Sequence, residues 1–162
     1  MSSNRLSRIV GKIQQLPSAL QSPALSLLFG SQVKFAGTAK VRVHTLTQQQ
    51  AVMSIANTRK VQNHIKGVHA AAMALLAESA TGFLVGMNVP DDKLPLIKSL
   101  KVDYLKRASG SLRAVASLTP EQIQAIHTEE KGEVLVAVTV TDEAGIQPIQ
   151  CEMLWAWVSK KR

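Results

Sequence analysis

A long apolar segment in the middle of the chain constrains the fold more than any other feature. Between Val68 and about Phe83 almost every residue is apolar or small, and the segment is too long and too rich in alanine for a β-strand. It predicts a helix that is hydrophobic on every side and buried in the core. Because Glu78, Ser79 and Thr81 interrupt the run well before the roughly 20 apolar residues that a bilayer requires, no membrane span is predicted.

The segments on both sides of this helix predict β-strands. Residues 33–57 are rich in β-branched residues and predict two strands joined around Thr47 to Gln50. Further strands are predicted at about 99–106, 112–118 and 149–158, the last with two tryptophans on one face. Alternating valines from Val134 to Val140, separated by residues such as Leu135, predict a central strand covered on both faces.

Helices are predicted at two further places. Thr119, Pro120 and Glu121 have the N-cap, first-turn proline and acidic first turn of a short inserted helix. Residues 1–30 are predicted to be a helical extension, with an amphipathic first helix docked on the domain and a second helix after Pro17. Residues 31–162 then form one α+β domain, an antiparallel sheet wrapped around one long central helix.

Composition restricts the functions that this chain can have. Nineteen Lys and Arg residues against eleven Asp and Glu give a net charge of +8, and every acidic residue lies at position 78 or later, which favours an anionic partner. Aromatic residues are only 4% and the basic residues are scattered, so nucleic acid is not the expected partner.

The expected location is cytoplasmic, because the single cysteine, Cys151, cannot form an intrachain disulfide and no secretory signal is recognisable. The Arg- and Ser-bearing, acid-free beginning leaves mitochondrial targeting as the lesser alternative. The four histidines show no metal-ligand spacing, so no metal site is predicted.

Glu78 is the residue that a purely structural interpretation explains least well. It is the only formally charged residue between Gly67 and Pro90, and an ionised carboxylate without partners is costly to bury. On a helix, Glu78 shares a stripe with Ala71 and therefore with the unpaired N–H groups of the first turn. A carboxylate near such donors can attack a carbonyl or activate water, although a structural ion pair is the simpler alternative.

The segment NHIKGVHAAAMALLAESATG resembles the active-site signature of hotdog-fold acyl-CoA thioesterases, especially the phenylacetate-pathway type. In that family an Asn precedes a His by six residues, the His opens the central helix, and an acid lies nine residues beyond it. Asn63, His69 and Glu78 reproduce both spacings. The resemblance spans about residues 38–158 and implies the hotdog fold.

The resemblance also implies roles for individual residues. Glu78 would be the nucleophile or general base, Asn63 would position water or the thioester, and His69 would shape the loop. The backbone N–H of Ala70, assisted by that of Ala71, would form the oxyanion hole. The family has two glycines where this chain has these alanines, so each added methyl narrows the approach to the backbone while the N–H donors survive.

The implied substrate is an acyl-CoA, with coenzyme A entering as part of the substrate and no resident cofactor. Gly67 and Lys66 in the loop before the helix, and Lys106 and Arg107 after the following strand, are the candidate binding residues for the anionic coenzyme. The family resemblance further implies a homodimer or homotetramer with active sites built from two chains.

Two other interpretations stay open. The protein could be a non-catalytic hotdog module that binds acyl-CoA or lipid, with the alanine pair closing the oxyanion hole. His64 lies fourteen residues before Glu78, a separation found in hotdog dehydratases, although the proline-bracketed loop and the Pro-Gly pair of that group are missing.

Overall fold

The long apolar segment forms helix α4, Ala70–Asn88, as predicted, and most of its side chains are buried. The computed structural model describes residues 3–160. Helix α4 is long and apolar enough to cross a membrane by length and composition alone, with a mean hydropathy of 1.5 in its most apolar window. Since 67% of that window is buried inside the protein, α4 is its core helix.

The remaining elements follow in chain order around α4. Three helices precede the sheet, α1 (Arg5–Ile13), α2 (Ser18–Gln32) and the short α3 (Lys34–Thr38). The strands are β1 (Arg42–Leu46), β2 (Gln50–Ile55), β3 (Lys93–Tyr104), β4 (Leu112–Ser117), β5 (Gly132–Asp142) and β6 (Ile149–Ser159). Helix α5 (Pro120–Thr128) lies between β4 and β5, and a 3-10 turn (Arg59–Val61) follows β2.

The six strands form one antiparallel sheet in the order β1-β2-β4-β5-β6-β3, and α4 packs against five of them. The sheet wrapped around one helix is therefore confirmed. Trp155 and Trp157 of β6 both lie on the buried face, as predicted. The predicted helix after Thr119 is also present, and its capping box joins Thr119 to Gln122 by reciprocal hydrogen bonds.

Residues 34–38 lie in the segment predicted to form two strands but form helix α3, and the first strand begins only at Arg42. Strands β5 and β3 also differ from their sequence predictions. β5 is central in the sheet, but it is covered on one face only, because Leu135 is 51% exposed while Val134 and Val136 are buried. β3 begins at Lys93, six residues before the predicted start, and runs through Pro95. A proline lacks an N–H donor and is tolerated on an edge strand, which is the place of β3 in this sheet.

The N-terminal helices share the core of the sheet domain. Val10 of α1 and Leu25 and Phe29 of α2 are buried, and the rings of Phe29 and Phe83 of α4 lie 4.5 Å apart between centroids. The hydroxyl of Ser26 accepts a hydrogen bond of 2.9 Å from the backbone N–H of Val43 in β1. Helices α1 and α2 thus cover the side of α4 on which Glu78 lies.

Candidate active site

Glu78 lies in the middle of α4 and lines a cavity of about 590 Å³. Its carboxylate is half-buried, and among residues 3–160 no Lys, Arg or His forms an ion pair with it. Burial raises the pKa of Glu78 above its ordinary value. The simpler alternative, a structural ion pair, therefore has no support within the described residues.

The cavity lies between α4 and the N-terminal helices. Its walls are mainly apolar, with contributions from α1, α2, α4, the beginning of β3 and the end of β6. The apolar side chains and glycines that line it are Leu6, Ile9, Phe29, Val33, Gly82, Phe83, Gly86, Val89, Pro90, Leu94, Pro95 and Trp155, and the charged residues besides Glu78 are Arg5, Asp91, Lys93 and Lys160. A pocket of this size and character falls within the range of small-molecule sites.

His69 is the N-cap of α4, and its imidazole takes up one of the free donors of the first turn. Nδ1 accepts a hydrogen bond of 3.0 Å from the backbone N–H of Ala71. An accepting Nδ1 carries no proton, so the neutral ring holds its proton on Nε2 as a donor. The Ala71 N–H is thereby engaged, whereas the N–H of Ala70 has no hydrogen-bond partner among residues 3–160.

Asn63 organises the loop that precedes α4. Its Oδ1 accepts hydrogen bonds of 3.1 Å from the backbone N–H groups of Ile65 and Gly67. Lys66 has a left-handed backbone with φ of 62°, and its carbonyl accepts a bond of 3.1 Å from Nδ2 of Asn57. Oδ1 of Asn63 is thus used in hydrogen bonds within the loop. Nδ2 of Asn63 is the group that can donate to a ligand.

The cationic candidates Lys66 and Arg107 both lie at the surface of this loop region. Nη2 of Arg107 lies 3.5 Å from the carbonyl oxygen of Ile65, next to Lys66. Lys106 precedes Arg107 and is held by its backbone, which donates a bond of 3.1 Å to the carbonyl of Pro148. All three side chains are exposed and available to anionic groups.

Tyr104 is a residue of this region that the sequence analysis did not single out. Its hydroxyl donates a hydrogen bond of 2.7 Å to the carbonyl oxygen of Ala70. The bond ties the last residue of β3 to the first turn of α4. The only sequence signal is an aromatic residue at the end of a strand, which is too common to identify such a contact.

Within one chain the predicted residues fall into two separate groups. Asn63, His69 and Ala70 lie at the beginning of α4, whereas Glu78 lies nine residues after His69, a half-turn around the helix and about 13 Å along its axis. His69 and Ala71 line a different, smaller cavity of about 200 Å³. The carboxylate and the free donor of the same chain therefore do not converge on one substrate atom.

Comparison with known proteins places the chain in a structural group. A family model described as a domain of unknown function, DUF4442, matches residues 22–158. No curated protein matches the sequence. A protein of unknown function from Pseudomonas aeruginosa, described as a probable thioesterase, is similar with a TM-score of 0.77 and 24% identity, covering 90% of this chain and 97% of that one.

Two more distant solved structures share the same architecture. A thioesterase from Haemophilus influenzae has a TM-score of 0.66 at 10% identity, covering 83% of this chain and 88% of its own. A thioesterase family protein from Silicibacter pomeroyi has a TM-score of 0.67 at 14% identity, covering 81% and 93%. These likenesses confirm the α+β hotdog fold, and the phenylacetate-pathway branch stays a prediction.

Proposed function

The chain belongs to the DUF4442 family, and we propose that it is a thioesterase that hydrolyses an acyl-CoA to a free acid and coenzyme A. The observation that carries this proposal is Glu78, a half-buried carboxylate with a raised pKa and no ion-pair partner among residues 3–160, facing a cavity. The names of the similar solved structures support the same class of reaction.

Glu78 can act on the thioester in either of two ways. As a nucleophile, its carboxylate oxygen attacks the carbonyl carbon, the C–S bond breaks, and water hydrolyses the resulting anhydride. As a general base, it takes a proton from water while the water oxygen attacks the same carbon. In both cases the sulfur leaves as the coenzyme A thiolate, which then takes up a proton.

The beginning of α4 supplies the donors for the developing oxyanion. The free N–H of Ala70 lies at the positive end of the helix dipole, and the protonated Nε2 of His69 is a second donor nearby. Removing one oxyanion-hole donor typically costs about 3 to 4 kcal/mol of barrier. We therefore assign the oxyanion hole to the N–H of Ala70. The assisting donor is Nε2–H of His69 and not the N–H of Ala71, which is already bonded to the His69 ring.

A homodimer would bring these donors to Glu78. β3 is a long edge strand with exposed apolar residues, among them Leu96 at 47% and Leu100 at 45% exposure. Such an edge pairs readily with another chain. We propose that two copies pair antiparallel through β3 around a two-fold axis, and a tetramer would require a further interface.

This pairing has a consequence for the site. The cavity of Glu78 contains Leu94 and Pro95 from the beginning of β3, whereas Tyr104 at the end of β3 is bonded to Ala70. Antiparallel pairing of two β3 edges places the beginning of one strand beside the end of the other. The cavity of Glu78 in one chain then lies beside the oxyanion donors of its partner.

The coenzyme A part of the substrate would bind at the surface around Lys66. Arg107 lies 3.5 Å from the carbonyl of Ile65, the residue before Lys66, and Lys106 precedes Arg107 in the chain. Phosphates form strong charge-assisted hydrogen bonds with such groups. Gly67 has no side chain that could obstruct a ligand at this loop. An added Cβ would also fit there, because its nearest neighbour, Asn63 Oδ1, would lie 3.8 Å away. Asn63 would then hold water or the thioester with its free Nδ2.

The test is release of free thiol from acetyl-, hexanoyl-, decanoyl-, palmitoyl- and phenylacetyl-CoA by the wild type and by Glu78→Gln. We expect hydrolysis by the wild type and a loss of about 10²- to 10⁴-fold in the variant, the usual contribution of a general base. Circular dichroism establishes that the variant is folded. Equal rates for the two proteins would overturn the role of Glu78.

A non-catalytic acyl-CoA-binding protein is the second candidate, because Ala70 and Ala71 place methyl groups at the start of α4, where the acyl-CoA thioesterases that this segment resembles have glycines. Its signature is binding of these thioesters without release of thiol by the wild type. A hotdog dehydratase is the less favoured alternative, because the proline-bracketed loop and the Pro-Gly pair of that group are missing and His64, exposed in the loop before α4, does not line the cavity of Glu78 in its own chain.

A further inference from the structure

The outer face of the sheet, opposite α4, carries a row of polar side chains that the catalytic site does not use. In the antiparallel register Arg42 of β1 pairs with Ser54 of β2, and Ser54 pairs with Arg113 of β4. Directly paired residues present their side chains on the same face of a sheet. Met53, the residue before Ser54, is buried in the core on the inner face, so the row lies on the outer face.

A histidine joins this row through a β-bulge. The pairing of β1 with β2 shifts register between Val43 and Thr45, which makes His44 the extra residue. Nε2 of His44 lies 2.7 Å from Oγ of Ser54, and this hydrogen bond fixes the position of the hydroxyl. When Nε2 is the donor in this bond, the hydroxyl hydrogen of Ser54 is free to bond a ligand on the outer face.

The row gathers positive charge without a counterion. Arg42 and Arg113 are exposed, and within residues 3–160 neither forms an ion pair with a carboxylate. Burial and the charges of Arg113 and Arg42 lower the pKa of His44, so both guanidinium groups act on the same imidazole. No acidic residue precedes position 78, so β1 and β2 carry none. Repulsion among these groups disfavours the folded state, and a bound anion would relieve it.

The spacing of the strands fits a single tetrahedral anion. Because neighbouring strands lie about 4.8 Å apart, Arg42 and Arg113 flank Ser54 at about that distance on either side. Both arginine side chains are long enough to reach the space above Ser54. A guanidinium group binds phosphate through two parallel N–H donors, and the serine hydroxyl supplies one more donor.

We propose that Arg42, Ser54 and Arg113 form a phosphate-binding site on the outer face of the sheet, separate from the cavity of Glu78. None of these three residues lines that cavity, which lies on the α4 side of the sheet. His44 acts as a positioning residue, because it holds the Ser54 hydroxyl between the two arginines. The site also gives a role to the excess of basic residues in the first half of the chain.

The phosphate can come from coenzyme A or from a separate phosphorylated small molecule. Strand β2 leads from Ser54 into the loop before α4, where Nδ2 of Asn57 donates a hydrogen bond of 3.1 Å to the carbonyl of Lys66. The row therefore lies near the surface at which the coenzyme is proposed to bind. Coenzyme A as the source rests on the proposed function, whereas binding of phosphate does not.

The test is a titration of the isotope-labelled protein with inorganic phosphate at constant ionic strength, followed by NMR of the backbone amides and by calorimetry. We expect saturable binding at millimolar phosphate, with shifts concentrated around Ser54 in β1, β2 and β4. Arg42→Gln and Arg113→Gln should each lose about tenfold or more of phosphate affinity, because one hydrogen bond to a charged group is worth at least that factor. Thermal melts establish that each variant is folded.

Arg8→Gln is the matched control, because it removes the same charge from α1, where Arg8 lies 3.6 Å from Asp91. It should keep the phosphate affinity of the wild type, since its charge is far from the row. A wild type without saturable binding at millimolar phosphate would overturn the proposal. So would folded Arg42→Gln and Arg113→Gln proteins that bind phosphate as tightly as Arg8→Gln.

A parallel titration with coenzyme A distinguishes the two sources of the phosphate. Shifts around Ser54 that weaken in Arg113→Gln would identify the coenzyme as the ligand of this site. Shifts there with inorganic phosphate alone would assign the site to a separate phosphorylated molecule. Because no thioester is cleaved in either titration, the outcome is independent of whether the protein hydrolyses acyl-CoA.

Discussion

Burial disfavours ionisation of the Glu78 carboxyl group, yet the proposed chemistry requires the ionised form. Removing a carboxylate from water disfavours ionisation, and no described cation offsets this at Glu78, so its pKa lies above the ordinary value. In the folded protein the ionised side chain is thus held at some cost in stability. Such tension between stability and charge is common at catalytic carboxylates.

Two pH dependences follow from the raised pKa of Glu78. The kcat/KM of the wild type should rise with pH on an acid limb that lies above the ordinary glutamate pKa, because only the carboxylate acts as base or nucleophile. When a carboxyl group has a higher pKa in the folded state than in the unfolded state, its contribution to protein stability is fully present below the unfolded-state pKa. That contribution is lost as the pH rises through the folded-state pKa. Glu78→Gln avoids that loss, so its Tm should exceed the wild-type Tm at neutral pH and approach it in acid.

Glu121→Gln is the matched control for these melts. Hydrogen bonds to its own backbone N–H and to the Thr119 side chain lower the pKa of Glu121, so its contribution has the opposite sign. This variant should not melt above the wild type at neutral pH. A Glu78→Gln protein that melts below the wild type at neutral pH would contradict the account of its burial.

At the scale of elements, the buried side chain of Asn4 anchors the beginning of helix α1, while Val10 packs in the core. Asn4 caps α1, its Oδ1 accepting a bond of 2.7 Å from the N–H of Ser7, and its Nδ2 bonds two carbonyls at the end of α4. Because α1 forms part of the cavity wall, this one residue links the extension to the site. Helix α2 makes a comparable connection through Ser26 and β1.

Asn4→Ala should destabilise the protein by about 1 to 3 kcal/mol, because it removes the cap and leaves buried carbonyls without a donor. Urea unfolding measures this change in the free energy of unfolding. Gln15→Ala, an exposed substitution in the adjacent connection, should change it by less than about 0.5 kcal/mol. Equal stabilities of the two variants would contradict the anchoring of α1 by Asn4.

At the scale of the whole molecule, the free edge of β3 decides the assembly. Light scattering of the wild type should give twice the 17.5 kDa chain mass, or a multiple of it for a tetramer. Replacing both Leu96 and Leu100 by Lys should shift the protein to monomer, since charge on an edge strand opposes pairing. Hydrolysis should fall as dimerisation is lost, because each proposed site uses two chains.

Leu27→Lys on α2 is the control for this experiment. Leu27 is 76% exposed and lies away from the β3 edge, so the variant should keep the wild-type mass and activity. A wild type that is monomeric at micromolar concentration would overturn the shared site. A Lys-substituted monomer with full activity would show that one chain suffices.

Much of this fold could be predicted from local patterns, and the failures have physical causes. Helix α4 was predictable because its length and alanine content exclude a strand, and α5 because Thr119 and Pro120 form a recognisable start. The early beginning of β3 was missed because proline is allowed only at an edge, and edge position follows from pairing. β5 was predicted to be covered on both faces because apolar residues occupy both sets of alternating positions. The sequence does not show which of these faces packs against another part of the protein.

The candidate site divides in the same way. The sequence by itself determined the central helix, the acid within it, and the spacing of Asn63, His69 and Glu78 that indicates a hotdog thioesterase. Only the tertiary structure decided that the N–H of Ala71 is engaged by His69, and that α1 and α2 close the cavity beside Glu78. Periodicity establishes which residues share a face of a helix, whereas contacts between distant segments depend on how the whole chain packs.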